Sequence, residues 1–91
     1  MKPIKVTVSR PKNVNVALAY ARAVAKRAGV SFDGDDKHGH GQGRGFKASY
    51  TVHANCVELT ILDKPFWAPA GMVQDAVRKY CAEYLRREEV A

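Results

Sequence analysis

Two histidines and three aspartates crowd one short stretch of this chain. His38 and His40 follow Asp33, Asp35 and Asp36 within eight residues. Imidazole with carboxylate is a donor set for zinc, nickel or copper, which makes His38 and His40 the candidate metal ligands. The same stretch, Gly34–Gly45, reads GDDKHGHGQGRG and holds five of the seven glycines. A catalytic metal needs ligands held still by hydrogen-bonded neighbours, and a glycine-rich tether does not hold them. The expectation for 34–45 is a flexible loop. Asp33-Gly-Asp35 lacks the spaced acidic ligands and closing glutamate of a calcium loop.

Other chemistry is equally incomplete. Gly39, Gly41, Gly43 and Gly45 alternate beside Arg44, but the segment precedes a strand, whereas phosphate loops deliver the anion to a helix N-terminus. His53 and Cys56 flank a short turn, with no third group to orient the imidazole. Serine is scarce: Ser9, Ser31 and Ser49 only. Cys56 and Cys81 have no ligand at zinc spacing and read as two small core residues. The reading is a protein that is not an enzyme and carries no cofactor.

Charge is more informative. The chain of 91 residues has a net charge of +6. Seven basic residues and no acidic one lie between Met1 and Phe32 (Lys2, Lys5, Arg10, Lys12, Arg22, Lys26 and Arg27), while the remainder is nearly neutral. Such asymmetry attracts polyanions: nucleic acid, anionic lipid or acidic protein. Nucleic-acid modules add aromatic residues for stacking, and here Tyr20 is the only one before Phe32. The candidate partner-binding residues are Lys5, Arg10, Lys12, Arg22, Lys26, Arg27, Arg44 and Trp67. Metal binding through His38 and His40 and nucleic-acid binding stand as alternatives.

The surrounding elements are patterned. Ile4, Val6 and Val8 alternate with polar residues, as a strand wet on one face does. Pro11 ends it, and Asn13 or Asn15 caps a helix with Ala17, Ala21, Val24 and Ala28 on one face, stopped by Gly29. That stripe is mostly alanine, so it permits close approach but buries little area. Val30–Asp33 reads as a short strand. Phe46, Ala48, Tyr50 and Val52 alternate, then Val57, Leu59 and Ile61, around a turn where Asn55 suits a positive φ. Pro65 breaks the strand. Phe66 and Trp67 either cap the core or expose a ring that anchors a partner. Pro69 and Gly71 suit the start of a last helix, with Met72, Val73, Ala76, Val77, Tyr80, Tyr84 and Leu85 on its apolar side, fraying after Arg87.

The fold expected over 1–91 is a single α+β domain of order β-α-β-β-β-α, a two-layer sandwich with both helices on one face of a mainly antiparallel sheet. An unpaired edge strand supports either a monomer or a homodimer formed by sheet extension. No apolar run approaches the roughly 20 residues of a span, and the N-terminus lacks a signal-peptide core, so a cytoplasmic location is expected.

The stretch GFKASYTVHANCVELTILDKPFWAPAGMVQDAVRKYCAEYL, together with the opening strand and helix, resembles the small bacterial polyhydroxyalkanoic acid system proteins, a family linked to granule regions. The likeness is one of pattern: a hairpin, an apolar strand, a Lys-Pro corner and an amphipathic helix. The histidine-rich GHGQG segment departs from it, and KPFWAP matches only loosely. The resemblance implies a non-catalytic accessory protein and transfers no catalytic residue.

Overall fold

A computed structural model describes residues 2–90. The order is β1 (Ile4–Ser9), α1 (Val14–Arg27), β2 (Ser31–Gly34), β3 (His38–Gly43), β4 (Phe46–Val52), β5 (Cys56–Asp63) and α2 (Ala70–Val90). The five strands form one sheet in the order β1-β5-β4-β3-β2, with every neighbouring pair antiparallel. Both helices pack on the same face. The α+β sandwich is as expected, with one strand more than the sequence reading supplied.

That extra strand replaces the flexible loop expected at 34–45. His38–Gly43 pairs with β2 on one side and β4 on the other. Its outward positions are His38, His40 and Gln42, and its inward positions are Gly39, Gly41 and Gly43. Tyr50 and Phe32 supply the missing volume, their rings stacked 5.6 Å apart with an interplanar angle of 11°. A Cβ on Gly39 would meet the Tyr50 ring at 2.5 Å, and one on Gly34 would meet its hydroxyl at the same distance. Glycine is therefore what lets this strand lie under an aromatic layer.

The turns follow local chemistry. Asp35 closes the β2–β3 hairpin: its side chain accepts from the N–H groups of Lys37 (2.9 Å) and His38 (3.0 Å). These two donors hold its carboxyl below the ordinary range. Tyr50 donates its hydroxyl to the Asp35 carbonyl at 2.6 Å. Between β3 and β4, Arg44 (φ 52) and Gly45 (φ 85) form a two-residue turn with both φ values positive, as a primed hairpin turn requires. The β4–β5 turn does not need this: Arg44 is the only non-glycine with positive φ among the described residues, so Asn55 keeps a negative one. There His53 N–H donates to the Cys56 carbonyl at 2.8 Å.

Asn13 caps α1, its side chain accepting from Val16 N–H at 3.2 Å. Gly29, at φ 77, terminates it. The helices run antiparallel and meet at Tyr20 and Tyr84, ring centroids 5.4 Å apart. Helix α2 continues past Arg87 to Val90. Glu88 accepts from the N–H groups of Lys12 (3.1 Å) and Asn13 (3.4 Å), tying α2 to the start of α1.

Each helix nevertheless sits over its own part of the sheet. Val73 on α2 belongs to a cluster with Ile4, Val6, Ile61 and Ala68, and Val14 and Leu18 on α1 bury against Tyr50. Only eight apolar side chains are buried among the described residues. Met72 and Tyr80, expected on the apolar stripe, are more than half exposed. Between the two clusters the alanine stripe of α1 leaves an apolar cleft of about 360 Å³.

Candidate functional site

Ala68 N–H donates to the Pro65 carbonyl at 3.1 Å, making a tight turn between β5 and α2. Ala68 is buried at the foot of this turn. The two central residues, Phe66 and Trp67, therefore project outward. Phe66 is 97% exposed and Trp67 63%. Trp67 leans edge-on against Phe46 at 6.5 Å, while Phe66 is almost wholly in water. Of the two readings of this pair, the outward one holds.

Cations gather at this end of the molecule. Lys64 adjoins the turn. The β3–β4 turn lies beside it, since a Cβ on Gly45 would come within 3.0 Å of Pro65. Lys47 follows in β4 as the cross-strand partner of Asp63. Arg44 reaches across to the end of α1: its Nε would lie 2.6 Å from a Cβ placed on Gly29. A cation over the last carbonyls of a helix is favoured by the helix dipole. Lys26 and Arg27 occupy that last turn. Two exposed aromatic rings thus share one end of the molecule with Arg44, Lys64, Lys26 and Arg27, while Lys47 alternates with Phe46 onto the outer sheet face opposite Asp63.

The other residues singled out from sequence separate from this group. Arg10 and Lys12 lie at the opposite end, where Arg10 donates to the His53 carbonyl at 3.1 Å. Lys5 is on the outer face of β1, 3.9 Å from Glu58. Arg22 turns toward the β2–β3 hairpin, donating to the Gly34 carbonyl at 2.6 Å, with its guanidinium 5.8 Å from the Phe32 ring. Sequence reasoning weighed Phe66 with Trp67 as a pair but listed only Trp67 and Arg44 among the binding residues, and it left out Lys47 and Lys64.

His38 and His40 share the outer face of β3, where Asp33 is the cross-strand partner of His40. Among the described residues no three His, Cys, Asp or Glu side chains come together as a metal site. The His53 imidazole lies 3.9 Å from Glu58. Cys56 and Cys81 are both free thiols, Cys56 opposite Ser9 at the β1 edge and Cys81 on α2. Burial pushes the Cys81 thiol up. The outer sheet face carries hydroxyls, His38, His40, Lys5 and Glu58 but no Phe, Tyr or Trp.

In comparisons with known proteins, no family model matches the chain, and no curated protein or solved structure matches it. Among the described residues no helix is long and apolar enough to cross a membrane.

Proposed function

We propose that this chain is a non-catalytic binding protein that docks on an anionic lipid surface through the end formed by Phe66, Trp67, Arg44, Lys47 and Lys64. The observation that carries this is the exposure of Phe66, 97%, on a turn that follows Asp63 and Lys64 and lies beside the Arg44–Gly45 turn. Exposed rings lose apolar area to a lipid interface, and lysine and arginine beside them meet anionic headgroups. Each cation near such a surface contributes about 1 kcal/mol.

The lipid reading is favoured over the alternatives on specific grounds. Nucleic acid lacks a stacking platform on the sheet face. Docking by sheet extension is disfavoured, because β2 is four residues long and β1 is flanked by Pro3 and Pro11. The resemblance to a bacterial family linked to granule regions points the same way, toward an accessory role without catalysis. A cytoplasmic location, as monomer or homodimer, completes the reading.

Vesicle co-sedimentation tests it. Binding to vesicles of mixed phosphatidylglycerol and phosphatidylcholine, weakening steeply with salt, is expected, with little binding to phosphatidylcholine alone. Phe66→Ser and the pair Arg44→Glu, Lys64→Glu should each abolish retention. Unchanged retention of both variants would overturn the proposal.

A further inference from the structure

The cleft between the helices borders the docking end only near Lys26, and its lining differs in kind. It runs beneath α1, from Cys81 and Leu85 on α2, over Val57 and Leu59 of the sheet and under Leu18 and Ala21, to Val30 and Phe32 at the β2 edge. Its volume of about 360 Å³ is at the lower end of the roughly 300–1,000 Å³ typical of ligand sites. A shallower second cavity begins where the first ends: Val30 and Phe32 line both, and there they are joined by Arg22, Lys26 and Ser31. Among the described residues no Asp or Glu lines either cavity. Arg22 is already engaged with Gly34 and Phe32, whereas Lys26 is exposed and makes no ion pair among the described residues.

An apolar cleft that adjoins cations at one edge has a matching ligand. We infer that the cleft binds an amphipathic carboxylate with a single hydrocarbon tail, the tail beneath α1 and the carboxylate against Lys26 at the β2 edge. The tail removes apolar area from water, and an otherwise unpaired ammonium gains a charge-assisted partner. The alanine stripe has a purpose on this reading. Ala17, Ala21 and Ala25 keep α1 close enough to the sheet to roof the cleft without filling it.

Decanoate is the probe, used at concentrations where it stays monomeric, beside decanol and decylammonium of equal tail length. Calorimetric titration should show one saturable site for decanoate, weaker binding of decanol and weakest binding of decylammonium. Lys26→Glu should weaken decanoate about tenfold, the loss of one charge-assisted contact, and leave decanol unaffected. Ala21→Phe should abolish both. In case that variant fails to fold, a second readout uses the unaltered cleft. In a Cys56→Ser background, decanoate should slow alkylation of Cys81 while leaving Trp67 fluorescence unmoved. No saturable binding of decanoate, or alkylation of Cys81 at the same rate with and without it, overturns the site. Equal affinity for decanoate and decylammonium, or a decanoate affinity indifferent to Lys26→Glu, overturns the assignment of the anion. Failure here would leave vesicle docking untouched, since that involves neither Ala21 nor Cys81.

Discussion

Tyr50 lies across Gly39, its cross-strand partner, so closely that no side chain fits between them. Gly39→Ala would place its methyl 2.5 Å from the ring and 2.6 Å from the Asp33 carbonyl. Forcing a group into such a place typically costs about 1–3 kcal/mol. Urea unfolding should show a loss in that range. Gly71→Ala is the matched control: nothing lies within 4 Å of that Cβ, and alanine is the better helix former, so stability should hold or rise by up to about 1 kcal/mol. Equal behaviour of the two variants would contradict the aromatic layer over β3.

Trp67 is the single tryptophan and reports on the docking end directly. In free protein its emission should be red-shifted and readily quenched by iodide. Anionic vesicles should shift it to the blue and protect it. Phe66→Ser should remove that response while changing unfolding stability by no more than about 0.5 kcal/mol, as expected for a side chain in water.

The link from α2 to α1 depends on pH. The Lys12 N–H, aided by Asn13 N–H and the Tyr84 hydroxyl, holds the Glu88 carboxyl below the ordinary carboxylate value. A group whose folded pKa is lowered contributes stability above its unfolded value, about 4.3, and loses it as pH falls through the folded pKa. Thermal stability should therefore fall as the solution is acidified below that value. Glu88→Gln should flatten part of the decline, and the rest belongs to Asp35, which is shifted the same way. Tyr50 has the opposite sign. Burial first, then the Asp35 charge, pushes its hydroxyl above the ordinary value of about 10, so its contribution is complete below that pH and is lost as pH rises through the folded pKa. Tyr50→Phe should remove part of the alkaline component, and the rest belongs to Tyr84 and Cys81, which are shifted the same way.

The two thiols should differ in rate. Cys81 faces the cleft and its thiol is shifted up by burial, which lowers the thiolate fraction at neutral pH. Cys56 lies near the β4–β5 turn at the start of β5. Reaction with a thiol reagent should be biphasic, and Cys56→Ser should remove the fast phase. Removal of the slow phase instead would contradict the placement of α2 over the cleft.

Most elements were legible because their side chains alternate or recur at the period of their own backbone. Ile4, Val6 and Val8 face inward as the period of two requires, and Asn13 caps α1. Strand β3 was missed for a physical reason: its inward positions contain no side chain at all. The apolar mass that marks a strand sits on Tyr50 and Phe32 of its neighbours. The alternation of Gly39, Gly41 and Gly43 was itself the signal, a period of two written in absences. The candidate site was legible in part. Arg44 and Trp67 do lie toward one end, but seven basic residues in the first third of the chain do not form one surface, because β1 and α1 carry them to opposite ends and faces. The exposure of Phe66 depends on the Pro65–Ala68 turn, a relation of backbone geometry that composition does not encode.

The Pro65–Ala68 turn stands at the tip where β5 leaves the sheet, so whatever it grips holds the protein by one pole. Strands and helices then rise away from the contact like staves, and Arg10, Lys12 and His53 are carried to the far pole, clear of the surface. The cleft reaches Val30 and Phe32 at the β2 edge of the sheet. On the proposed docking, a molecule held this way would keep its sides free for a second encounter while the first persists.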